Sequence, residues 1–572
     1  MANPTGVAVD EAGQFVIADH IAAVFQSPDR GQVRKVSPQG FITTIAGKLG
    51  IFASFDFNGD NILALEAGLS ALDVAMDPVG NIYIADYHNQ RIRKVTFVLI
   101  DGDGDGIEYL KDNCPFVANP DQTDTDFDAQ GDPCDPTPLG DDLDADGLPE
   151  AQDNCAFLAN PDQADRDDDN LGDLCDGDND NDGLPDAQEV HLGLDPLNPD
   201  SDGNGVSDAD EVVPIITTIA GNGVKGYDGD GKLAVEAALN RPRVGFVDAT
   251  GQVFVVDLFN HRVRKIDLDG IITTIAGTGA QGFPANAMGG PQPAVEATLG
   301  RPFDLIQDPV GNIYVADFET ASIRKIDPGG TLTKVAGAGF AGFFGDGSIA
   351  AVAALRHPTG VVLDQKGQLV IADHGVHKSS LLFVGNLRIR RIDTDGFINT
   401  IAGTGKNAST GDGGPAIAAD MAPLDLVFDP HGDLYLVDSH HHVVRKIDKS
   451  GMITNVAGTG VFGFHGDGGP AEAAQFYYPY GVAIDPAGNL FIADQNNHRI
   501  RKVDGHGIIT TVAGTGEAGF SGDGDPATLA GLSLPMGIAT DRFGNLYFGE
   551  AGNDRVRKVT FVRIDDADSD GI

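Results

Sequence analysis

The chain has 572 residues, of which 85 are acidic and 38 are basic, so its formal net charge is −47. This excess of negative charge argues against binding to nucleic acids or anionic membranes, because like charges repel, and favours cations as ligands. A bilayer-crossing run of about 20 apolar residues is absent, and the start of the chain does not resemble a signal peptide. We therefore predict no nucleic-acid partner and no membrane insertion.

A repeated segment covers most of the chain. Its acidic marker residue recurs at Asp19, Asp86, Asp257, Asp317, Asp373, Asp438, Asp494 and Glu550. Each copy contains four short runs of β-branched and aromatic residues separated by turn signals. Four antiparallel strands form one blade of a β-propeller, and a blade buries both faces only when neighbours stack on it. The repeat therefore predicts an all-β propeller.

The marker residue opens a short motif. The clearest copy, Asp494-x-x-Asn497-His498-Arg499, resembles the NHL repeat, which is named after an Asn-His-Leu signature. The copies that begin at Asp86 and Asp257 match nearly as well, whereas those at Asp317 and Asp373 lack the Asn-His pair. The resemblance implies an NHL-type β-propeller. We expect Arg499, Arg501 and Lys502 to pair with aspartates of neighbouring strands, with an anion-binding ring as the alternative.

An acidic segment interrupts the repeats. Residues 101–212 contain 35 acidic and two basic residues, together with all four cysteines. Acidic residues at positions 1, 3, 5 and 12 of a loop, with a glycine near position 6 and a backbone carbonyl at position 7, form an oxygen cage for Ca²⁺. Six consecutive loops fit this pattern, which predicts about six Ca²⁺ ions. A solvated acidic linker is the alternative, but chance acidity does not repeat this spacing six times.

The predicted calcium ligands are, in loop order, Asp101, Asp103, Asp105, Ile107 and Asp112; Asp124, Asp126, Asp128, Gln130 and Asp135; Asp142, Asp144, Asp146, Leu148 and Asp153; Asp165, Asp167, Asp169, Leu171 and Asp176; Asp178, Asp180, Asp182, Leu184 and Glu189; and Asp200, Asp202, Asn204, Val206 and Glu211. Ala129 and Asn170 replace the glycine of the second and fourth loops. These two loops are therefore expected to be weaker or differently shaped.

The cysteines follow a spacing of their own. The segments Asp112-Asn-Cys-Pro-Phe and Asp153-Asn-Cys-Ala-Phe, each followed by a Gly-Asp-x-Cys-Asp segment, resemble the thrombospondin type 3 repeat. The resemblance implies the disulfides Cys114–Cys134 and Cys155–Cys175. A zinc site would require a C-x₂₋₄-C spacing, which the chain lacks. Disulfides persist in oxidising compartments, and such calcium loops suit extracellular calcium, so we expect a secreted or cell-surface protein whose signal peptide is not in this chain.

These segments define the predicted domains. Residues 1–95 are NHL repeats, 96–213 the calcium-binding array, 214–559 a six-bladed propeller, and 560–572 the start of a second array. A strand at 215–221 would complete the last blade and close the ring, which removes exposed sheet edges. Residues 1–95 would then end a preceding propeller. The alternative is one eight-bladed ring with the array as a side arm. Because the chain opens inside a repeat, we expect residues to precede it.

The function predicted from these features is recognition rather than catalysis. The calcium arms should leave one face of the propeller, while the Asn-His turns gather on the opposite face, which we expect to bind a protein or a glycan. The chain has no G-x-S-x-G, phosphate-loop or H-E-x-x-H motif, so no catalytic residue is assigned. A structural surface or fibre element is one alternative.

Histidines leave a second alternative open. They lie at 440–442 and at His261, His374, His377 and His498. Such residues could hold a catalytic metal, as in the calcium- and zinc-dependent lyase that resembles this repeat family, which would make the protein a lyase-type or lactonase-type enzyme. Because the positions recur around the ring, we expect them instead to bond the turns and pack between blades.

Overall fold

The structure is a computed structural model that describes the strands of residues 1–95, isolated positions between 114 and 149, and residues 152–281, 290–375 and 385–563. The chain divides into two compact units, Met1–Asp141 and Asp142–Ile572. Across the described ranges, no helix combines the length and the apolar character needed to span a membrane.

The first unit contains two antiparallel sheets. Its strands are β1 (Pro4–Val9), β2 (Phe15–Ile21), β3 (Arg30–Val36), β4 (Ile42–Ala46), β5 (Ala71–Met76), β6 (Ile82–Asp86) and β7 (Arg91–Val95). Strands β1 to β4 form one sheet and β5 to β7 the other, each in chain order. Alternate apolar residues of these strands, such as Val16 and Ala18, are buried in a shared core with Val33 and Ile84.

The second unit is also built from short strands. They are β8 (Val212–Ala220), β9 (Lys232–Leu233), β10 (Pro242–Val247), β11 (Val253–Asp257), β12 (Arg262–Ile266), β13 (Ile271–Ala276), β14 (Gln292–Pro293), β15 (Pro302–Gln307), β16 (Ile313–Asp317), β17 (Ser322–Ile326), β18 (Thr331–Ala336), β19 (Ser348–Ile349), β20 (Pro358–Leu363), β21 (Leu369–Asp373), β22 (Arg388–Ile392), β23 (Phe397–Ala402), β24 (Gly414–Pro415), β25 (Pro423–Phe428), β26 (Leu434–Asp438), β27 (Val443–Ile447), β28 (Met452–Ala457), β29 (Gly469–Pro470), β30 (Pro479–Ile484), β31 (Leu490–Asp494), β32 (Arg499–Val503), β33 (Ile508–Ala513), β34 (Pro535–Thr540), β35 (Leu546–Glu550) and β36 (Arg555–Arg563). One α-helix, α1 (Asp186–Leu192), lies in the acidic segment.

Short 3₁₀ turns accompany these strands. They span Asp208–Glu211, Ala234–Glu236, Leu258–Asn260, Ala294–Glu296, Ala350–Val352, Ala416–Ala418, Ser439–His441, Ala471–Ala473, Gln495–Asn497 and Ala527–Leu529.

The described part of the second unit contains six antiparallel sheets. Sheets one to five consist of β10–β13, β15–β18, β20–β23, β25–β28 and β30–β33, each with a two-residue fifth strand, and sheet six consists of β34, β35, β36 and β8. Neighbouring first strands contact one another in this order, and β34 of sheet six also contacts β10 of sheet one. The fold is all-β and has the sheet arrangement of an NHL-type β-propeller.

Strand β8 joins the sheet that contains the far end of the repeats. It pairs antiparallel with β36, from Ala220 opposite Val556 to Val212 opposite Arg563. The sequence-based prediction that this strand completes the last repeat is therefore confirmed. Both ends of the repeat array are held in one sheet by backbone hydrogen bonds, which leaves neither end as an unpaired edge.

The second strand of each sheet shows why the repeats must stack. Every residue of β11, β21, β31 and β35 is buried. A strand with one solvated face would alternate buried and exposed residues, so both faces of these sheets are covered. Phe491 and Ile500 of sheet five pack in one core with Ile538 and Phe548 of sheet six.

A buried arginine on the third strand anchors most sheets of the second unit. In sheet three, Arg390 NH2 lies 2.6 Å from Asp346 Oδ1, and Arg390 NH1 lies 3.8 Å from Asp373 Oδ2. Sheets one, four, five and six repeat the arrangement with Arg264, Arg445, Arg501 and Arg557. In each of these sheets the first aspartate partner stands in a Gly-Asp-Gly segment before the sheet, such as Gly345-Asp346-Gly347, so the buried arginine fixes this segment to the sheet.

The Asn-His pair ties each turn to its surroundings. Asn497 Nδ2 donates to Asp494 Oδ2 at 2.7 Å and to Gly463 O at 2.6 Å. His498 Nδ1 accepts from the backbone N–H of Leu534, at the start of the next sheet, at 3.1 Å. The asparagine thus joins the turn to the preceding link, and the histidine joins neighbouring sheets.

The copy at Asp373 lacks the Asn-His pair but keeps the asparagine at a displaced position. In the copy at Asp373, Asn386 Nδ2 donates to Asp373 Oδ2 and to Gly342 O, both at 2.6 Å. Asn386 therefore makes the same two hydrogen bonds as Asn497, although 13 positions separate it from Asp373. The insertion between the two residues hides the motif from a comparison at fixed spacing.

The buried arginine pairs make a prediction about stability. Replacing Arg390 with Met should lower the free energy of unfolding of the second unit by about 3–5 kcal/mol, because Asp373 would remain buried without its cation. The matched control is Arg391→Met on the same strand, where the side chain is exposed and a change within about 0.5 kcal/mol is expected. Urea denaturation at pH 8 measures both variants, and equal losses would contradict the prediction.

Candidate functional site

The described calcium-type loops share one backbone conformation. In the fifth loop, Asp178 Oδ2 accepts from the N–H of Gly183 at 3.0 Å, and Asp182 Oδ1 accepts from that of Leu184 at 2.8 Å. These bonds use one oxygen of each carboxylate. One ligand oxygen from each of Asp178, Asp180 and Asp182 lies within 4.8 Å of the other two.

Two other loops bring their carboxylates together in the same way. The groups are Asp165, Asp167 and Asp169 in the fourth loop, and Asp144, Asp146 and Asp153 in the third. Leu148 of the third loop donates its backbone N–H to Asp146 Oδ1 at 2.9 Å. The other predicted ligands of the first three loops lie outside the described residues: Asp101, Asp103, Asp105, Ile107, Asp112, Asp124, Asp126, Asp128, Gln130, Asp135 and Asp142.

Asn170 does not change the shape of the fourth loop. It has a φ of 76° and donates its backbone N–H to Asp165 Oδ2 at 3.0 Å, as Gly183 does in the fifth loop. Asparagine tolerates the left-handed conformation better than other side chains do. The expectation of a differently shaped fourth loop is therefore wrong, while Ala129 lies outside the described residues.

Helix α1 places the last acid of the fifth loop. Glu189 lies within it, is 0% exposed, and neither of its carboxylate oxygens has a hydrogen-bond partner among the described residues. Asp178 Oδ1 and Asp180 Oδ2 are buried and unpartnered in the same way. Buried carboxylate oxygens are costly unless a positive group faces them. An all-oxygen donor set of this kind fits Ca²⁺.

The electrostatics of the fifth loop agree with this fit. Burial, reinforced by Asp180, Asp182 and Asp178, raises the pKa of Glu189 to about 9. Burial and the neighbouring Asp182 raise the pKa of Asp178 to about 8. A bound divalent cation favours the ionised carboxylates and reverses both shifts.

The sixth loop already faces a cation of the protein. Arg563 NH2, at the end of β36, lies 3.5 Å from Asp202 Oδ2 and 3.3 Å from Glu211 Oε2. Asn204 Nδ2 donates to the other oxygen of Glu211 at 2.6 Å. The ligand residues of this loop therefore also anchor it to the last sheet.

A disulfide and a side-chain amide network join the third and fourth loops. Cys155 and Cys175 form a disulfide. Gln163 Nε2 donates to Asp153 Oδ1 at 2.8 Å, and Gln163 Oε1 accepts from the N–H of Asn154 at 2.8 Å. Sequence reasoning did not assign Gln163 a role, although the repeated Asn-Pro-Asp-Gln segment was the available signal. Cys114 is disulfide-bonded, and Cys134 lies outside the described residues.

The opposite end of the strands presents aromatic side chains. The rings of Tyr477 and Tyr478 are 5.6 Å apart, and His442 packs edge-on against Tyr478 at 4.9 Å. Phe462, which is 65% exposed, lies 5.6 Å from Tyr477. This surface, which we call the aromatic face, lies at the end where the Asn-His turns occur.

The histidines near this face do not form a metal cluster in the described ranges. His374 lies 5.3 Å from His440, and its Nδ1 is 2.9 Å from the carbonyl of Pro423. Burial lowers the pKa of His374 to about 3, so the ring is neutral. Among the described residues, all groups of three side chains that could hold a metal ion lie in the acidic segment. His377 lies outside the described residues.

Comparison with known proteins identifies both kinds of segment. The family model of the teneurin NHL domain matches residues 463–520. The family model of the thrombospondin type 3 repeat matches residues 100–122, 123–163 and 164–190.

Curated relatives match about half of the chain. The chloroplastic protein SUPPRESSOR OF QUENCHING 1 of Arabidopsis thaliana is 30% identical over 50% of this chain and 27% of its own length. NHL repeat-containing protein 2 of Homo sapiens is 28% identical over 54% of this chain and 44% of its own length. Teneurin-1 of Mus musculus is 27% identical over 45% of this chain and 10% of its own length. The chain thus spans less than half the length of each relative.

Solved structures give a weaker similarity. A Bacteroides thetaiotaomicron protein of unknown function has a TM-score of 0.44 and 20% identity over 61% of this chain and 76% of its own. A virginiamycin B lyase from Staphylococcus aureus has a TM-score of 0.33 and 15% identity over 56% of this chain and 97% of its own. These values are too low to transfer any activity.

The sheets and the loops define a class of all-β repeat proteins in which stacked antiparallel sheets are combined with carboxylate-rich loops of a geometry that can hold a metal ion. The chain carries NHL repeats together with thrombospondin type 3 repeats, each matched by its family model over part of the chain. Both resemblances seen in the sequence are therefore confirmed.

Replacing Glu189, the buried acid of the fifth loop, should have opposite effects on the stability of the ion-free protein and on its calcium affinity. Glu189→Gln should raise the thermal midpoint in EDTA at pH 8, because the neutral amide avoids the proton uptake that burial forces on Glu189 when the ion-free loop folds. The same change should lower the calcium affinity of the loop by at least about tenfold, since a ligand is lost. Calorimetry in EDTA and calcium titration measure the two effects. Glu472→Gln, at an exposed position, is the control and should change neither.

The raised pKa values predict how pH acts on the fifth loop. Between the ordinary carboxyl pKa and about 9, the ion-free folded loop keeps a proton on Glu189 that the unfolded chain releases. Its stability in EDTA should therefore fall as pH rises from 5 to 9. Calcium binding must displace this proton, so affinity should be higher at pH 8 than at pH 6. Calcium titrations at both pH values test this, and a pH-independent affinity would refute it.

Proposed function

We propose that the chain is a non-catalytic, extracellular binding or adhesion module, in which a six-bladed propeller presents a recognition face and a calcium-stabilised thrombospondin type 3 array spaces it. The observation that carries the calcium part is the buried, unpartnered carboxylate set around Glu189. The disulfide Cys155–Cys175 supports an oxidising location. The mechanism is structural: calcium cancels the repulsion between carboxylates and fixes the loops.

Three features support six blades. The described part of the second unit has six sheets, their first strands contact in order, and β34 contacts β10. Strand β8 supplies the fourth strand of sheet six, so the ring needs no strand from residues 1–95. On this proposal residues 214–559 form the propeller, and residues 1–95 belong to a preceding one.

The aromatic face supports a protein or glycan partner. Tyr477 and Tyr478 are 36% and 38% exposed and lie next to each other, and Tyr477 also neighbours the more exposed Phe462. Aromatic rings with a polar edge are enriched where proteins bind partners, because they bury a large area at little cost in conformational entropy. The fifth loop contacts Pro486 and Asn489, in a turn at the other end of the strands, so this loop does not cover the aromatic face.

A metal-dependent propeller enzyme of lyase or lactonase type is the second candidate. It is favoured by a cavity of about 150 Å³ at the centre of the sheets, lined by Asp304 and Asp425 among apolar residues. Both aspartates are buried, and burial together with the other carboxylate raises the pKa of Asp304 to about 7. Such a site could take part in acid–base chemistry.

Metal analysis of the purified, desalted protein separates the two candidates. About six calcium ions per chain and no zinc would support the binding module. Stoichiometric zinc that survives mild chelation would favour the enzyme. Near-zero calcium at millimolar supply would refute the array assignment.

The partner proposal has its own test. The double variant Tyr477→Ala/Tyr478→Ala should weaken binding to glycan arrays and cell surfaces by at least about tenfold, as loss of an aromatic hot spot does. The matched control is Leu268→Ala/Val310→Ala, which removes exposed apolar residues from turns at the other end of the strands. If both double variants bind like the wild type, the aromatic face is not the recognition surface.

A further inference from the structure

The fifth calcium loop is in contact with the propeller. The carbonyl oxygen of Gly183, at position 6 of the loop, accepts from Asn489 Nδ2 at 3.1 Å and from Lys502 Nζ at 3.3 Å. Both donors belong to sheet five. Asn489 Nδ2 also donates to Asp485 Oδ2 at 2.9 Å, which fixes the amide in this orientation.

Close packing surrounds these hydrogen bonds. A Cβ atom added to Gly177 would lie 2.5 Å from the carbonyl oxygen of Pro486, so the two backbones touch. On the next sheet, a Cβ added to Gly544 would lie 3.0 Å from Pro185 Cγ. The ring of His191, in α1, lies 5.5 Å from that of Phe543. The segment around the fifth loop therefore lies across the turns of sheets five and six.

The contact residues alternate with the predicted calcium ligands. Gly177 stands between Asp176 and Asp178, which are ligands of the fourth and fifth loops. Gly183 directly follows the ligand Asp182, and Pro185 precedes the helix that carries Glu189. The shape of the contact surface is therefore set by the shape of the fifth loop.

We propose that calcium in the fifth loop latches the array onto the turns of sheets five and six, an inference that rests on the proposed calcium binding. Without a cation, the carboxylates of Asp178, Asp180 and Glu189 face one another in a buried space. Opening the loop lets water reach these unpartnered oxygens, and it moves Gly183 away from Asn489 and Lys502. With calcium, the loop keeps the shape that fits the propeller.

The coupling between calcium binding and docking of the array acts in both directions. If calcium strengthens docking, docking strengthens calcium binding by the same factor. Lys502 contributes to this coupling from the propeller side, because its Nζ donates to the carbonyl oxygen of Gly183, next to the ligand Asp182. The end of the array nearest the propeller thus fixes the direction in which the array leaves the propeller, while calcium is bound.

The test measures the position of the array directly in the full chain. Nitroxide labels are placed at Val190→Cys on α1 and Leu268→Cys on sheet one, both of which are exposed positions. Pulsed electron spin resonance should give one narrow distance distribution in millimolar calcium. In EDTA the distribution should become at least about twofold broader.

Two pairs of variants distinguish docking from folding. Gly177→Ala should broaden the distances even in calcium, because its methyl group meets the Pro486 backbone, whereas Gly505→Ala has open space around it and should behave like the wild type. Lys502→Met should broaden the distances partially. Lys325→Met, at the equivalent position of sheet two, should not, because no hydrogen bond from the described array residues reaches it.

The outcomes separate this inference from the proposed function. Calcium bound to the same labelled sample, measured by titration, together with a distance distribution that EDTA does not alter, would overturn the latch and leave the calcium-binding module standing. Absence of calcium binding would overturn both. A broad distribution in saturating calcium would show that the array does not dock.

Discussion

Buried carboxylates need a positive partner, and the second unit depends on how this need is met. In the propeller the partner is built in, as when Arg390 faces Asp346 and Asp373. In the fifth loop the residues Asp178 and Glu189 have no such partner among the described side chains. The propeller is therefore complete as a folded scaffold without an ion. The fifth loop depends on a ligand from solution.

The sixth loop lies between these two cases. Its acids Asp202 and Glu211 face Arg563, which comes from the last strand of the propeller. A surface ion pair of this kind contributes little to stability, but it lies where β8 and β36 meet. At this junction, the ion pairs of Arg563 thus add to the backbone hydrogen bonds between β8 and β36. The two loops both contact the sheets, and they differ in that only the sixth receives a cation from the protein.

The parts of this structure that the sequence predicts are those with a fixed spacing. The NHL repeats, the pairing of β8 with β36 and the positions of the loop carboxylates all follow from residues counted along the chain. The role of Asn386 was not predicted, because an insertion separates this residue from the marker residue Asp373. The shape of the fourth loop was wrongly predicted because Asn170 was judged as a missing glycine, although asparagine can adopt the same backbone conformation. The contact of Gly183 with Lys502 joins two domains, and no spacing rule reaches across 319 residues.

The choice of sheets for docking shows what a repeat cannot specify by itself. The residues that receive the array, Pro486, Asn489 and Lys502, have counterparts at Pro309, Asn312 and Lys325 in sheet two, so the side chains alone do not select sheet five. The covalent connection selects sheet five. The chain enters sheet six through β8 shortly after the fifth loop, and a short connection reaches only the turns of the neighbouring sheets. Position along the chain thus gives one repeat a role that its near-identical counterparts lack.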